Sequence, residues 1–129
     1  MIQLLAQGCI LIAAGWLAWV SIVCLVAPQV ARNALARFGS TAAMQFGEHI
    51  PRAVVGIALI VRAAESKAPA VFAVGGWFLL ATSIAIMLAP RRWHHAYAEW
   101  WAERIPLWFY RIAAPPTVAF AGMLAYATL

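Results

Sequence analysis

Gly15-Trp16-Leu17-Ala18-Trp19-Val20-Ser21-Ile22-Val23-Cys24-Leu25-Val26-Ala27-Pro28 is an uncharged apolar run. Its landmarks return in the second half of the chain as Gly76-Trp77, Ser83-Ile84 and Ala89-Pro90. Each run leads into a charged connector and then into Glu-x-Ile-Pro, first as Glu48-His49-Ile50-Pro51 and then as Glu103-Arg104-Ile105-Pro106. A second apolar segment follows each copy. The pattern is that of one helical hairpin written twice, with repeat 1 over about residues 1–66 and repeat 2 over about 67–129. The first connector is longer by about seven residues, or two helical turns, so both connectors are candidates for helices themselves.

The chain of 129 residues is 66% hydrophobic and 10% charged, where a soluble domain carries roughly a quarter charged residues. A bilayer span takes about 20 mostly apolar residues. Ile2–Ala27 and Ala68–Pro90 meet this without a charge, and Ile105–Leu129 meets it apart from Arg111. Ile50–Ala64 is shorter, with Arg52 and Arg62 near its ends, where snorkelling side chains extend its reach. The expected fold is an all-α membrane protein, one domain over residues 1–129. Four transmembrane helices form two tandemly repeated hairpins, with an amphipathic interfacial helix between the third and fourth. The first segment lacks a basic leader and is too long for a cleavable signal, so it is expected to be retained. Pro28, Pro51, Pro69, Pro90 and Pro106 mark segment edges, as proline suits a first helical turn and stops a helix it follows. The short Glu65-Ser66-Lys67-Ala68-Pro69 link makes the second and third helices antiparallel neighbours.

Charge sets the orientation. Arg32, Arg37, Arg52, Arg91, Arg92, Arg104 and Arg111 lie on the connector side, whereas only Arg62 and Lys67 lie opposite. The expectation is a multi-pass protein of the bacterial inner membrane with cytoplasmic connectors and both termini periplasmic. Its net charge of +5, gathered at one surface, favours anionic lipid headgroups over nucleic acid. Cys9 and Cys24 share the first helix about 22 Å apart, too far to bond. No disulfide framework, metal-type cysteine spacing or cofactor motif is present.

In Arg91–Arg104, Trp93, Tyr97, Trp100 and Trp101 share one helical face, while Arg92, His95, Glu99 and Glu103 share another. That is the pattern of a helix lying in the headgroup plane, anchored by its aromatic side. Glu48, His49, Arg52, His95, Glu99 and Arg111 form a candidate polar cluster at this level. Its bland alternative is an interfacial belt of paired Glu and Arg that anchors the bundle. His94 and His95 are adjacent and diverge by about 100° on a helix, so one of them at most joins a given site. No metal is assigned. Arg111 lies deepest, ahead of Pro115-Pro116, which frees carbonyls near Arg111 and Ile112. A buried Arg beside a broken helix can form a substrate or ion site. The competing expectation is an Arg111–Glu48 ion pair. Trp16 and Trp77 are expected to pack as a pseudo-symmetric pair beside Gly15, Gly75 and Gly76.

Apolar hairpins joined by Pro90-Arg91-Arg92-Trp93-His94 resemble small four-helix bacterial inner-membrane proteins without an assigned activity. A second resemblance is to the membrane-associated eicosanoid and glutathione enzymes, whose second helix reads roughly Arg-Ala-His-x-Asn-x-x-Glu-x-x-Pro. Glu48 and Pro51 match its end, while Thr41, Ala43 and Gln45 stand at its Arg, His and Asn positions. That resemblance implies a glutathione-type membrane enzyme. Multidrug transporters of this length carry a carboxylate in the first helix, and this chain has none there. The leading expectation is a non-enzymatic membrane accessory or interaction subunit, working through its aromatic, basic rim with a membrane-protein partner or as a homo-oligomer. The alternative is a small oligomeric transporter or channel using Arg111 and the Pro115-Pro116 break.

Overall fold

The computed structural model describes Met1–Leu129 as an all-helical bundle without strands. Six α-helices follow in order: α1 Ile2–Val26, α2 Pro28–Ala36, α3 Ala42–Arg62, α4 Pro69–Leu88, α5 Arg91–Arg104 and α6 Leu107–Thr128. A 3-10 turn, Ala63–Glu65, links α3 to α4. Pro28 and Pro69 occupy first helical turns. The alanines before them adopt nearly the same bend, φ −139° and ψ 62° at Ala27 and φ −141° and ψ 67° at Ala68, since a residue before proline is pushed out of the α region. Pro90 and Pro106 stand as N-caps of α5 and α6.

Pro51 departs from the edge role expected of it. It lies inside α3, which begins eight residues before the expected Ile50 because Thr41 caps it, its Oγ1 accepting from the Met44 N–H at 3.0 Å. The proline leaves the Gly47 carbonyl without its intrahelical donor. The two Glu-x-Ile-Pro copies therefore differ locally: Glu48-His49-Ile50-Pro51 is helix interior, whereas Ile105-Pro106 separates α5 from α6. Both connectors carry a helix, and α2 packs on α5.

Among the long helices, α4 packs along α3, α6 along α1, and α1 against α3. The α3–α4 contact is closest at two glycines. A Cβ on Gly56 would lie 2.8 Å from the Gly76 carbonyl oxygen, so the backbones meet where side chains are absent. At the end holding both termini, Ala6, Ile10, Ala58, Leu59 and Phe72 form an apolar core, with Leu124 and Ala127 packed on it.

Only 21 of 129 residues are buried, and apart from a few such as Ile10, Leu59 and Phe72 the large apolar side chains of the long helices are exposed or partly exposed. Ile12 is 77% exposed and Leu88 82%. Two helices, Ile2–Val26 and Pro69–Leu88, are long and apolar enough to cross a membrane. Trp16 and Trp77 also face outward, 65% and 60% exposed. The expected Trp pair is absent because α1 is packed against α6 and α3 instead. The two cysteines are free.

The chain end of α6 is fastened by side chains. Arg62 Nε and Nη2 donate to the Thr128 carbonyl at 3.2 and 3.0 Å, and Gln7 Nε2 donates to it at 3.1 Å. The Lys67 N–H donates to the Ala127 carbonyl at 2.9 Å. These bonds meet carbonyls that a helix C-terminus leaves free. Arg62, expected to snorkel outward, is buried and turned inward, and it pairs with Glu65.

Candidate functional site

At the connector end, α5 is locked to the turn between α2 and α3. Gly39 in that turn has φ +70°, and a Cβ there would lie 2.8 Å from His94 Nδ1 and 3.0 Å from the His95 amide nitrogen. Conformation and space both demand glycine. Arg91 Nη1 donates to the Gly39 carbonyl at 3.2 Å and also to that of Ser40. His95 Nδ1 lies 2.9 Å from the Phe38 carbonyl, and its Nε2 lies 3.2 Å from Glu99 Oε1. Arg32 of α2 reaches across to the Ile105 carbonyl at 2.8 Å.

Once α5 is held this way, His94 points toward α3. Its ring lies edge-on to that of His49, with centroids 5.0 Å apart and an interplanar angle of 61°. His49 Nε2 is 4.0 Å from Glu48 Oε2. One ligand-type atom from each of Glu48, His49 and His94 lies within 4.8 Å of the others. His49 is 5% exposed. Both its ring nitrogens, both Glu48 oxygens and His94 Nδ1 are buried without a hydrogen-bond partner. The Gly39 backbone N–H faces the Glu48 carboxylate, but neither oxygen reaches hydrogen-bond geometry. Burial first, and then the neighbouring His95, hold the His94 imidazole below its ordinary range.

The polar cluster expected from sequence is thus split. Glu48 and His49 come together, and His94 takes the place assigned to His95. His95 and Glu99 pair with each other on the side of α5 that faces α2 and the Phe38 turn, away from His49. Arg52 turns to α4, where Nη2 donates to Thr82 Oγ1 at 2.9 Å. Gln45, one turn before His49, also faces α4, its Nε2 donating to the Ile86 carbonyl at 3.1 Å. Arg111 is exposed and has no carboxylate partner. The expected Arg111–Glu48 pair does not form, because α6 packs on α1 while this face of α3 looks toward α4. Pro115 and Pro116 do not break α6, which runs unbroken from Leu107 to Thr128.

No family model, curated protein or solved structure matches this chain.

Trp93, Tyr97, Trp100 and Trp101 are all exposed, while Ala98 and Ala102 on the opposite side of α5 are buried. Arg104 lies over the Trp100 ring, 3.9 Å from its centroid, a cation–π contact that keeps cation and aromatic at one level. Gly39 and Arg91 were not singled out from sequence, and of the adjacent pair His94 and His95 the sequence reading placed His95, not His94, in the cluster. Only Gly39 carried a signal there, as a glycine between two helical patterns.

Proposed function

We propose that this chain is a four-span integral protein of the bacterial inner membrane that acts without catalysis, as an accessory or interaction subunit. In this reading α1, α3, α4 and α6 cross the bilayer. The α2–α5 layer lies at the cytoplasmic surface, and both termini are periplasmic. The observation that carries the reading is the outward apolar girdle on all four long helices, seen in Leu4, Ile12, Val54, Val74, Ile112 and Met123. Water would oppose so large a contiguous apolar surface. The α3 and α6 helices are 21 and 22 residues long, enough to cross about 30 Å of hydrocarbon. The polar residues of α3 are Gln45, Glu48, His49, Arg52 and Arg62. Gln45 and Arg52 bond to α4, Arg62 bonds to the end of α6, and Glu48 and His49 lie by His94 of α5, so they turn toward neighbouring helices rather than toward lipid.

The α5 rim is the working surface. Its aromatic face is not used in holding the fold, while Arg91, His95 and Ala98 on other sides fasten it rigidly. Exposed Arg37 and Arg92 at the same end attract anionic headgroups. The rim therefore suits a partner that is itself seated in the membrane, another protein or a second copy of this chain. A two-fold relating the halves would exchange α1 with α4 and α3 with α6, and so the α3–α4 contact with the α1–α6 contact; the α1–α3 contact has no comparable α4–α6 counterpart, so the repeat is matched in part of the packing. Purification of the full chain in mild detergent tests the subunit role. A stoichiometric membrane-protein complex or homo-oligomer, lost on joint Trp93→Ala and Tyr97→Ala substitution, is the expected result. A lone monomer with unchanged cellular behaviour of that variant would contradict it.

A further inference from the structure

We propose that Glu48, His49 and His94 bind one divalent transition-metal ion of the zinc class. The site stands on its own geometry, whatever the role of the rim. Three observations converge. First, one ligand atom from each residue lies within 4.8 Å of the others, drawn from two helices that the Gly39 turn holds in register. Second, five polar atoms of these residues are buried without a partner: both Glu48 oxygens, both His49 nitrogens and His94 Nδ1. The His49 side chain is 93% buried, being 7% exposed. Interior polar groups are nearly always paired, so a knot of orphans in one place marks a missing partner. Third, the residues do not satisfy one another. The Glu48–His49 separation of 4.0 Å exceeds hydrogen-bond range.

The donor set names the ligand class. Two imidazole nitrogens and one carboxylate oxygen suit zinc and its first-row neighbours, and leave one of four tetrahedral positions for water or another ligand. Bonds of about 2.0–2.2 Å in that geometry place neighbouring ligand atoms roughly 3.3–3.6 Å apart. Side-chain shifts of about 1 Å or less would contract the observed triad to that size, with both backbones left in place. The carboxylate offsets part of the ion's charge beside Arg52 and Arg91. A bound ion would fasten α5 to α3.

The test uses the full chain in detergent, carrying a tag free of histidine and stripped by chelator. Zinc and cobalt(II) are titrated separately. The expected result is one zinc per chain at micromolar or tighter affinity, a raised thermal midpoint, and the intense visible bands of low-symmetry, four-coordinate cobalt. Glu48→Gln and His94→Gln preserve side-chain size and are expected to weaken binding by more than about tenfold, whereas His95→Gln leaves the stoichiometry at one. Size-exclusion profiles and helical circular dichroism establish that each variant is folded. Absence of saturable zinc binding to the wild-type chain would overturn the proposal and leave ordered water as the partner of the orphaned atoms. So would binding that survives both Glu48→Gln and His94→Gln.

Discussion

Gly56 of α3 and Gly76 of α4 meet backbone to backbone. A Cβ on Gly56 would lie 2.8 Å from the Gly76 carbonyl oxygen, and one on Gly76 would lie 2.7 Å from the Gly56 carbonyl oxygen. Gly76→Ala is therefore expected to force the two helices apart, at the cost of about 1–3 kcal/mol typical of overpacking. Gly75→Ala, where nothing lies within 4 Å of an added Cβ, serves as the control and is expected to be neutral. Reversible unfolding in mixed micelles measures both. Equal effects at the two positions would remove the close-crossing argument.

Gly39 carries a different constraint, because both its backbone and its surroundings exclude a side chain. Gly39→Ala pays about 1–2 kcal/mol for the left-handed conformation and also crowds His94 and the His95 amide. Gly39→Asn relieves part of the first cost but none of the second. We expect both variants to release α5, read as faster amide exchange from Arg91 to Tyr97. An Asn variant that behaves as wild type would show that crowding contributes nothing.

Arg62 and Arg111 make a contrasting pair. Arg62→Met removes two charge-assisted bonds to the Thr128 carbonyl and the pairing with Glu65, a loss of about 1.5–3 kcal/mol. Its local signature is fraying of the last turn of α6. Arg111→Leu removes no hydrogen bond or ion pair and takes an exposed charge out of a helix proposed to lie in the bilayer, so it is expected not to destabilise the bundle. The opposite ranking in a denaturation series would contradict the packing described for α6.

These two arginines also show where sequence reading stops. Segment boundaries at Pro28, Pro69, Pro90 and Pro106 were legible, because proline acts through its own ring and missing N–H. The aromatic face of α5 was legible because helical spacing alone sets it. Arg62 was misjudged because its partner, Thr128, is remote in the chain, and only tertiary packing brings the end of α6 beside it. Arg111 was misjudged for the same reason in reverse: helix order in space, not level along the bundle, decides which carboxylate an arginine can reach. The site was half legible. Glu48 and His49 were singled out, and the divergence of His94 from His95 was foreseen. Which of the two faces α3 depends on the roll of α5, set by the Gly39 turn and the Arg91 latch. Pro51 reads as a helix start until Thr41 is recognised as the cap.

Four helices crossing the membrane, with both termini periplasmic, is the proposal on which the rest depends, and single-cysteine labelling decides it. In a chain with Cys9 and Cys24 replaced by Ser, cysteines at exposed Lys67 and exposed Asn33 are probed with a membrane-impermeant maleimide. On that topology Lys67→Cys reacts in intact spheroplasts, while Asn33→Cys reacts only after the membrane is opened. Reaction of both positions from the same side, or of Asn33→Cys alone in intact spheroplasts, would contradict it.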